Sequence, residues 1–446
     1  MHTATPSYDL RTFAERLCGF ASTAGDEAAA ADWLAGRFDD FGFDVYEWEA
    51  DPALLADHPS FPDDPADIDA AGRPSVAGVA EFGDPDAGPT LVLNGHVDVV
   101  PADSELWETD PYDPVWRRDG ADETLTARGA ADMKAGLAAC VYAALDLRTA
   151  ADDGAADADL NGRVVVEAVA GEEDGGIGAA ASTLDSPYPF DRDAVVVAEP
   201  TDLTPVTATE GSVMMRLRLR GRSAHAATRW RGVDVLPKFE AVRAAFADLE
   251  SERAAAVTHP LYESFPVPWP VVCGTVRAGS WASTVPGTLE SEWRLGVAPG
   301  ETVAEVEAAF ERRLAEVVAA DDWLADHPPT FERFSVQFEP AEIDAGEPVV
   351  EALREAMADA DVPDRGVAGA TYGADSRHYV AAGVPAVLFG PGTIDQAHFP
   401  DESVPWRDVE RARRVYAATA RRFLADAAGY DEFRGDDSGD RSSVEK

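Results

Sequence analysis

Four short, almost unbroken apolar runs constrain the architecture most. Residues 91–93 (LVL), 164–169 (VVVEAV), 194–198 (AVVVA) and 386–389 (AVLF) are strand-length and have no consistently polar face. Runs of this kind are strands buried on both sides. Stretches with helical spacing alternate with them. Phe13, Leu17 and Phe20, then Trp33, Leu34, Phe38 and Phe41, mark helices within residues 7–49 that lead into a strand. A helix is expected over 133–148, just after Asp132, and a last one near 407–427. Strands alternating with helices indicate an α/β domain: a mixed, mostly parallel sheet with helices on both faces. Residues 50–75, rich in Pro, Asp and Ala, read as a loop or insertion, and residues 150–159 as an acidic linker.

The pattern changes near residue 209. Residues 212–220 (SVMMRLRLR) and 288–297 (TLESEWRLGV) alternate apolar with polar side chains, as strands with one wet face do. A further strand is expected about 271–277, with helices about 233–255 and 301–319. The order β-α-β-β-α predicts a small α+β module of ferredoxin-like type inserted into the larger domain. The predicted division is therefore 1–208 with 326–430 as one discontinuous domain, 209–325 as the insert, and 431–446 as a polar, disordered tail.

Charge narrows the partners. The chain carries 83 acidic and 37 basic residues, a net charge of −46, and its only lysines are Lys134, Lys238 and Lys446. A nucleic-acid mimic or an acidic interaction tail would concentrate that charge, but the carboxylates run the whole length. Adaptation to very salty cytoplasm explains the spread. At molar salt the Debye length is about 3 Å, so surface carboxylates repel weakly and still hold water. Such a surface argues against nucleic acid and against an anionic membrane. The first residues, MHTATPSYDL, carry neither a basic nor an apolar signal region, and no run of about 20 apolar residues occurs. A cytoplasmic protein is expected. Cys18, Cys140 and Cys273 are odd in number and far apart, so no disulfide framework is expected; Cys140 and Cys273 read as small buried hydrophobes.

In α/β sheets, ligands sit at the carboxyl ends of strands. His96 and Asp98 follow the first apolar run in NGHVDVVP, and Glu172 and Glu173 follow the second in AGEEDGG. Glu199 follows the third, and His398, in QAHFPDES, lies beyond the fourth. Asp132, in ARGAADMKAG, stands just before a helix. Any one acid among 83 is more readily a solvated surface charge. The recurrence of these groups at one topological place singles them out, and a mixed histidine and carboxylate set suits a divalent transition metal at a hydrolytic site.

The segments NGHVDVVP, ARGAADMKAG, AGEEDGG, VVVAEPT, GRSAHAA and AHFPDES occur in order over residues 91–405. They resemble the signature blocks of the co-catalytic metallopeptidase family that contains acetylornithine deacetylase, succinyl-diaminopimelate desuccinylase, aminoacylase and the glutamate carboxypeptidases. The resemblance implies two divalent metal ions, zinc foremost, with cobalt or manganese compatible. His96, Asp132 and Glu199 would hold one and Asp132, Glu173 and His398 the other, with Asp132 bridging. Glu172 would be the general base, and Asp98 would orient the His96 ring. The insert resembles the family's lid and dimerisation domain. His225, in GRSAHAATRWRG, would reach the partner's site in a homodimer and stabilise the oxyanion. Arg294, in ESEWRLG, Ser283, in GSWASTVPG, and Arg377, in GADSR, would touch the substrate, Arg377 as a carboxylate clamp. Ser283 and Thr284 stand where the family often has Asn-Val. The Asp132–Met133 peptide is expected to be cis.

The activity so implied is hydrolysis of an amide in a small N-acyl amino acid. A dipeptidase or carboxypeptidase of the same family is the alternative. A metal-binding regulatory protein without activity would lack a ligand or the base, and every such position is filled here.

Overall fold

The computed structural model describes residues 9–120, 122–152 and 160–425. The predicted tail and most of the acidic linker lie outside the described residues. Strands β1 (Asp44–Trp48), β2 (Ser75–Phe82), β3 (Thr90–His96), β4 (Val115–Asp119), β5 (Asp122–Thr126), β6 (Gly162–Val169), β7 (Ala194–Val197) and β8 (Val206–Thr209) precede the change of pattern. Strands β9 (Gly211–Arg220), β10 (Val271–Ala278), β11 (Thr288–Val297) and β12 (Thr330–Arg333) follow it. The chain closes with β13 (Ala341–Glu342), β14 (Ala368–Ala370), β15 (Ala386–Leu388) and β16 (Ser403–Pro405).

The main sheet runs β1-β2-β6-β3-β7-β15-β8-β13, with β14 also on β8. Its centre, β6-β3-β7-β15, is parallel, and antiparallel pairs flank it. These four central strands are the four apolar runs, and every residue in them is buried. The expected mixed, mostly parallel sheet covered on both faces is therefore found. Helices Ala135–Asp152 and Trp406–Ala425 pack on one another and on β3 and β6.

The helix expected from 133 begins at Ala135 instead. The chain first passes through a wide turn closed by Lys134 N–H on the Gly129 carbonyl at 2.8 Å, and Asp132 leaves the helical region there (φ −121°, ψ 93°). Gly129 starts the turn at φ 81°, where a Cβ would meet Val99 at 2.7 Å. The Asp132–Met133 peptide is cis, as expected.

The insert forms a second sheet, ordered β10-β11-β9-β12 and antiparallel throughout. Alternation in β9 turns Val213, Met215, Leu217 and Leu219 onto Phe239, Val242 and Phe246 of the helix Leu236–Ala256 and onto Phe310 of the helix Val303–Ala319. The boundary drawn at 325 needs correction. β12, at 330–333, pairs with β9 and completes the sheet, so the insert ends beyond it. Its four residues, TFER, are mostly exposed and carry no periodic signal. A third sheet, β16-β5-β4, was not anticipated; it brings Glu402 against the Asp132 turn.

Candidate metal centre

Each central strand delivers one element of the site at its carboxyl end. β3 ends on His96, which is 1% exposed. Its Nδ1 lies 2.9 Å from the Asp98 backbone carbonyl, which leaves Nε2 facing Asp132 Oδ1 at 3.1 Å. The turn after β6 carries Glu172 and Glu173, and β7 leads into buried Glu199. Beyond β15, His398 Nε2 sits 3.1 Å from Glu173 Oε1 and 3.7 Å from Asp132 Oδ2. His398 adopts φ 64°, a left-handed conformation that costs a non-glycine residue about 1 kcal/mol or more and is concentrated at functional sites.

Two sets of potential ligand atoms result, each within 4.8 Å: His96, Asp132 and Glu199, and Asp132, Glu173 and His398. Asp132 belongs to both. Burial, reinforced by the charges of Glu199 and Asp375, holds the Glu172 carboxyl well above its ordinary range. Burial and the charge of Asp132 do the same to Glu199. Burial also opposes ionisation of Asp132, but the His96 hydrogen bond and the charges of His96 and His398 outweigh it and lower its pKa. Crowded, buried carboxylates of this kind repel until a cation neutralises them. The donor set, three carboxylates and two imidazoles with one carboxylate common, fits a pair of divalent ions.

Two carboxylates hold this arrangement, one of them in an unexpected way. The Asp98 carboxylate was expected to orient His96. It lies 3.7 Å from His96 Nδ1 and instead accepts the backbone N–H groups of Gly171 (2.8 Å), Glu172 (3.2 Å) and Glu173 (3.0 Å). It thus fixes the turn that presents both glutamates, while its backbone carbonyl holds the ring. Glu402, which sequence reasoning missed although it lies inside AHFPDES, does the same for Asp132. It accepts from the N–H groups of Gly129, Ala131 and Asp132 at 2.8–3.0 Å and from Arg128 at 2.7 Å.

A cavity of about 290 Å³ opens over these groups, lined by Asp132, Glu172, Glu173, Glu199 and His398 on one side. Its volume lies at the small end of the range of small-molecule sites. Ser212, Met214 and Arg294 of the inserted sheet and Phe338 and Tyr372 of the returning chain line the other side. Ser212 and Met214 were not singled out, although the alternation of SVMMRLRLR sets them on the face away from the module's core.

The remaining expected contacts divide. Arg294 lines the cavity. Arg377 does not: it is 2% exposed, its Nη1 and Nη2 donate to the Ala374 and Gly175 carbonyls at 2.9 and 2.6 Å, and it lies over the Phe338 ring. The carboxylate clamp expected of it is corrected. Its donors tie the GADSR segment to the glutamate-bearing turn. His225 and Ser283 sit together on two exposed turns of the insert, joined by Ala226 N–H on the Ser283 carbonyl at 2.9 Å. Neither lines the cavity.

The family model described as "Peptidase family M20/M25/M40" matches residues 92–422. A curated relative, the N-formyl-4-amino-5-aminomethyl-2-methylpyrimidine deformylase of Bacillus subtilis (strain 168), is 24% identical over 83% of this chain and 84% of its own. The acetylornithine deacetylase of Myxococcus xanthus is 30% identical over 80% of this chain and 86% of its own. Among solved structures, the di-peptidase Dug1p from Saccharomyces cerevisiae superposes with a TM-score of 0.70 at 13% identity, covering 93% of this chain and 95% of that one. At that identity the likeness is one of fold.

Proposed function

The chain belongs to peptidase family M20/M25/M40, and on that premise we propose that this metal-dependent hydrolase cleaves the amide bond of a small N-acyl amino acid. The observation that carries the proposal is the pair of ligand triads sharing Asp132, with Glu172 in the same cavity. His96, Asp132 and Glu199 would hold one divalent ion and Asp132, Glu173 and His398 the other. We assign zinc to both. When bound, the ions supply Lewis acidity and lower the pKa of a nearby water. Glu172 stands outside both triads, takes the water's proton and returns it to the departing amine. Arg294 is the one permanently cationic side chain among the described residues lining the cavity. It favours a substrate with a carboxylate beside the scissile amide.

His225 is exposed outside the cavity, and its Nδ1 accepts the Ala227 N–H at 3.1 Å. Among the described residues, its contacts are with Ala227, Thr228 and Thr284 of the insert and not with Glu172. We therefore assign it, with Ser283 beside it, to the neighbour's site in a homodimer, with the insert as lid. No described helix is long and apolar enough to cross a membrane. The charge excess supports a cytoplasmic enzyme in a salt-rich cell.

A hydrolysis screen of the metal-loaded protein in molar KCl tests the substrate class. N-acetyl, N-succinyl and N-formyl amino acids should be turned over faster than dipeptides. Cleavage of dipeptides alone would overturn the deacylase reading.

A further inference from the structure

Arg294 has a partner that the reaction does not require. Glu210 is the single residue between β8 of the main sheet and β9 of the inserted sheet. Its N–H donates to the Ala370 carbonyl at 2.9 Å, and its side chain is 0% exposed. Oε1 accepts Arg294 Nη1 at 3.1 Å, and Oε2 has no hydrogen-bond partner among the described residues. On its other side Arg294 Nη2 donates to the Thr371 carbonyl at 3.3 Å, next to Tyr372 of the cavity wall. The neighbouring cation, Arg253, is already committed to the Gly296 carbonyl and Glu301. Space for Glu210 is left by a glycine two residues beyond Arg294: a Cβ at Gly296 would stand 2.1 Å from Glu210 Oε1.

A wholly buried carboxylate with one hydrogen bond and one unpartnered oxygen is a poor stabilising device, because desolvation offsets the attraction. It does restrict where the guanidinium can go. The cavity holds Asp132, Glu172, Glu173 and Glu199, and an untethered guanidinium there would lean toward those acids and away from the anionic group of a bound substrate. We propose that Glu210 is a positioning residue that holds Arg294 off the metal-binding carboxylates, so that its remaining donors select substrates bearing an anionic group. The proposal rests on the deacylase reading for its substrate and on the Glu210–Arg294–Thr371 geometry for its mechanism.

The test compares wild type, Glu210→Met and Glu210→Gln in the metal-loaded enzyme, each with an N-acyl amino acid and its carboxamide analogue. Methionine keeps length and packing but offers no comparable acceptor; glutamine keeps one. One charge-assisted hydrogen bond is worth about tenfold or more in binding. Glu210→Met should raise KM for the carboxylate substrate at least about tenfold, with kcat within about threefold and the carboxamide unaffected. Glu210→Gln should retain most of the preference. A purely structural role would shift both substrates alike, and an unchanged carboxylate preference in Glu210→Met overturns the proposal. If Glu210→Met does not fold, Glu210→Ala is read in the same way. Should wild type hydrolyse no N-acyl amino acid, the deacylase reading fails and the crystal structure of the variant decides. An Arg294 guanidinium displaced toward Glu172 or Glu199 supports the positioning role, and one unmoved at Thr371 refutes it.

Discussion

Replacing Asp98 by asparagine separates two accounts of that residue. Its Oδ1 serves the N–H groups of Gly171 and Glu172 and its Oδ2 that of Glu173. Asparagine keeps one carbonyl oxygen for the first two but turns an amide N–H₂ on the third, donor against donor. The loss is one hydrogen bond to a charged acceptor, about 1.5–3 kcal/mol, plus part of the desolvation cost of the stranded N–H, for a total of about 2–4 kcal/mol. The His96 ring is held by the Asp98 backbone carbonyl at 2.9 Å, which the substitution leaves in place. The damage should therefore fall on the segment carrying Glu173, and the ion sharing Asp132, Glu173 and His398 should be lost first. Urea unfolding of the apo and metal-loaded proteins in molar KCl, with metal counted after dialysis, measures both effects. Stability within about 0.5 kcal/mol of wild type, or equal weakening of both ions, would refute the assignment of the Asp98 carboxylate to the turn.

Four further outcomes are expected. Glu172→Ala should retain two metals per chain by elemental analysis and lose at least about 10²-fold in kcat, the usual size of a lost general base; an active variant removes Glu172 from that role. Mixing inactive His225→Ala with inactive Glu172→Ala under subunit exchange should restore activity, since each mixed dimer has one site with both groups, and a mixture that stays dead rules out action in trans. Dilution from molar to millimolar KCl should lower Tm, because the net charge of −46 is then unscreened; an unchanged Tm ends the halophilic reading. Burial pushes the Glu210 carboxyl from the ordinary carboxylate range up to about 8, so the unfolded chain releases this proton before the folded one does. Its contribution to stability thus falls as pH rises from the ordinary carboxylate range toward about 8, and Glu210→Gln should gain on wild type across that window, on the order of a few kcal/mol, in thermal melts at stepped pH.

Much of the site was legible because its parts are local. An apolar run of three to six residues followed by a histidine or an acid states, within ten positions, that a buried strand ends on a polar group. Four such runs became adjacent parallel strands, and parallel strands present their carboxyl ends on one edge. His96, Glu172, Glu173, Glu199 and His398 were found in this way, with Asp132 before its helix. The alternation of β9 and β11 likewise announced a one-sided sheet and the start of the insert. The far end of the insert was not legible, because β12 is four exposed residues whose only claim to be a strand is its partner β9.

The use of each polar side chain was decided by the tertiary structure. Arg294 and Arg377 both lie in segments resembling family blocks, and both were expected to touch the substrate, Arg377 as a carboxylate clamp. Arg377 was claimed by the Gly175 carbonyl, 202 residues away, while Arg294 was left at the cavity, steadied by Glu210, 84 residues away. Asp98 was likewise drawn to N–H groups 73–75 residues away rather than to the imidazole two positions before it. Burial pattern is a property of neighbouring residues and can be read along the chain. A hydrogen bond needs a donor within about 3 Å at a suitable angle, and for these residues folding brings that donor from a distant part of the sequence.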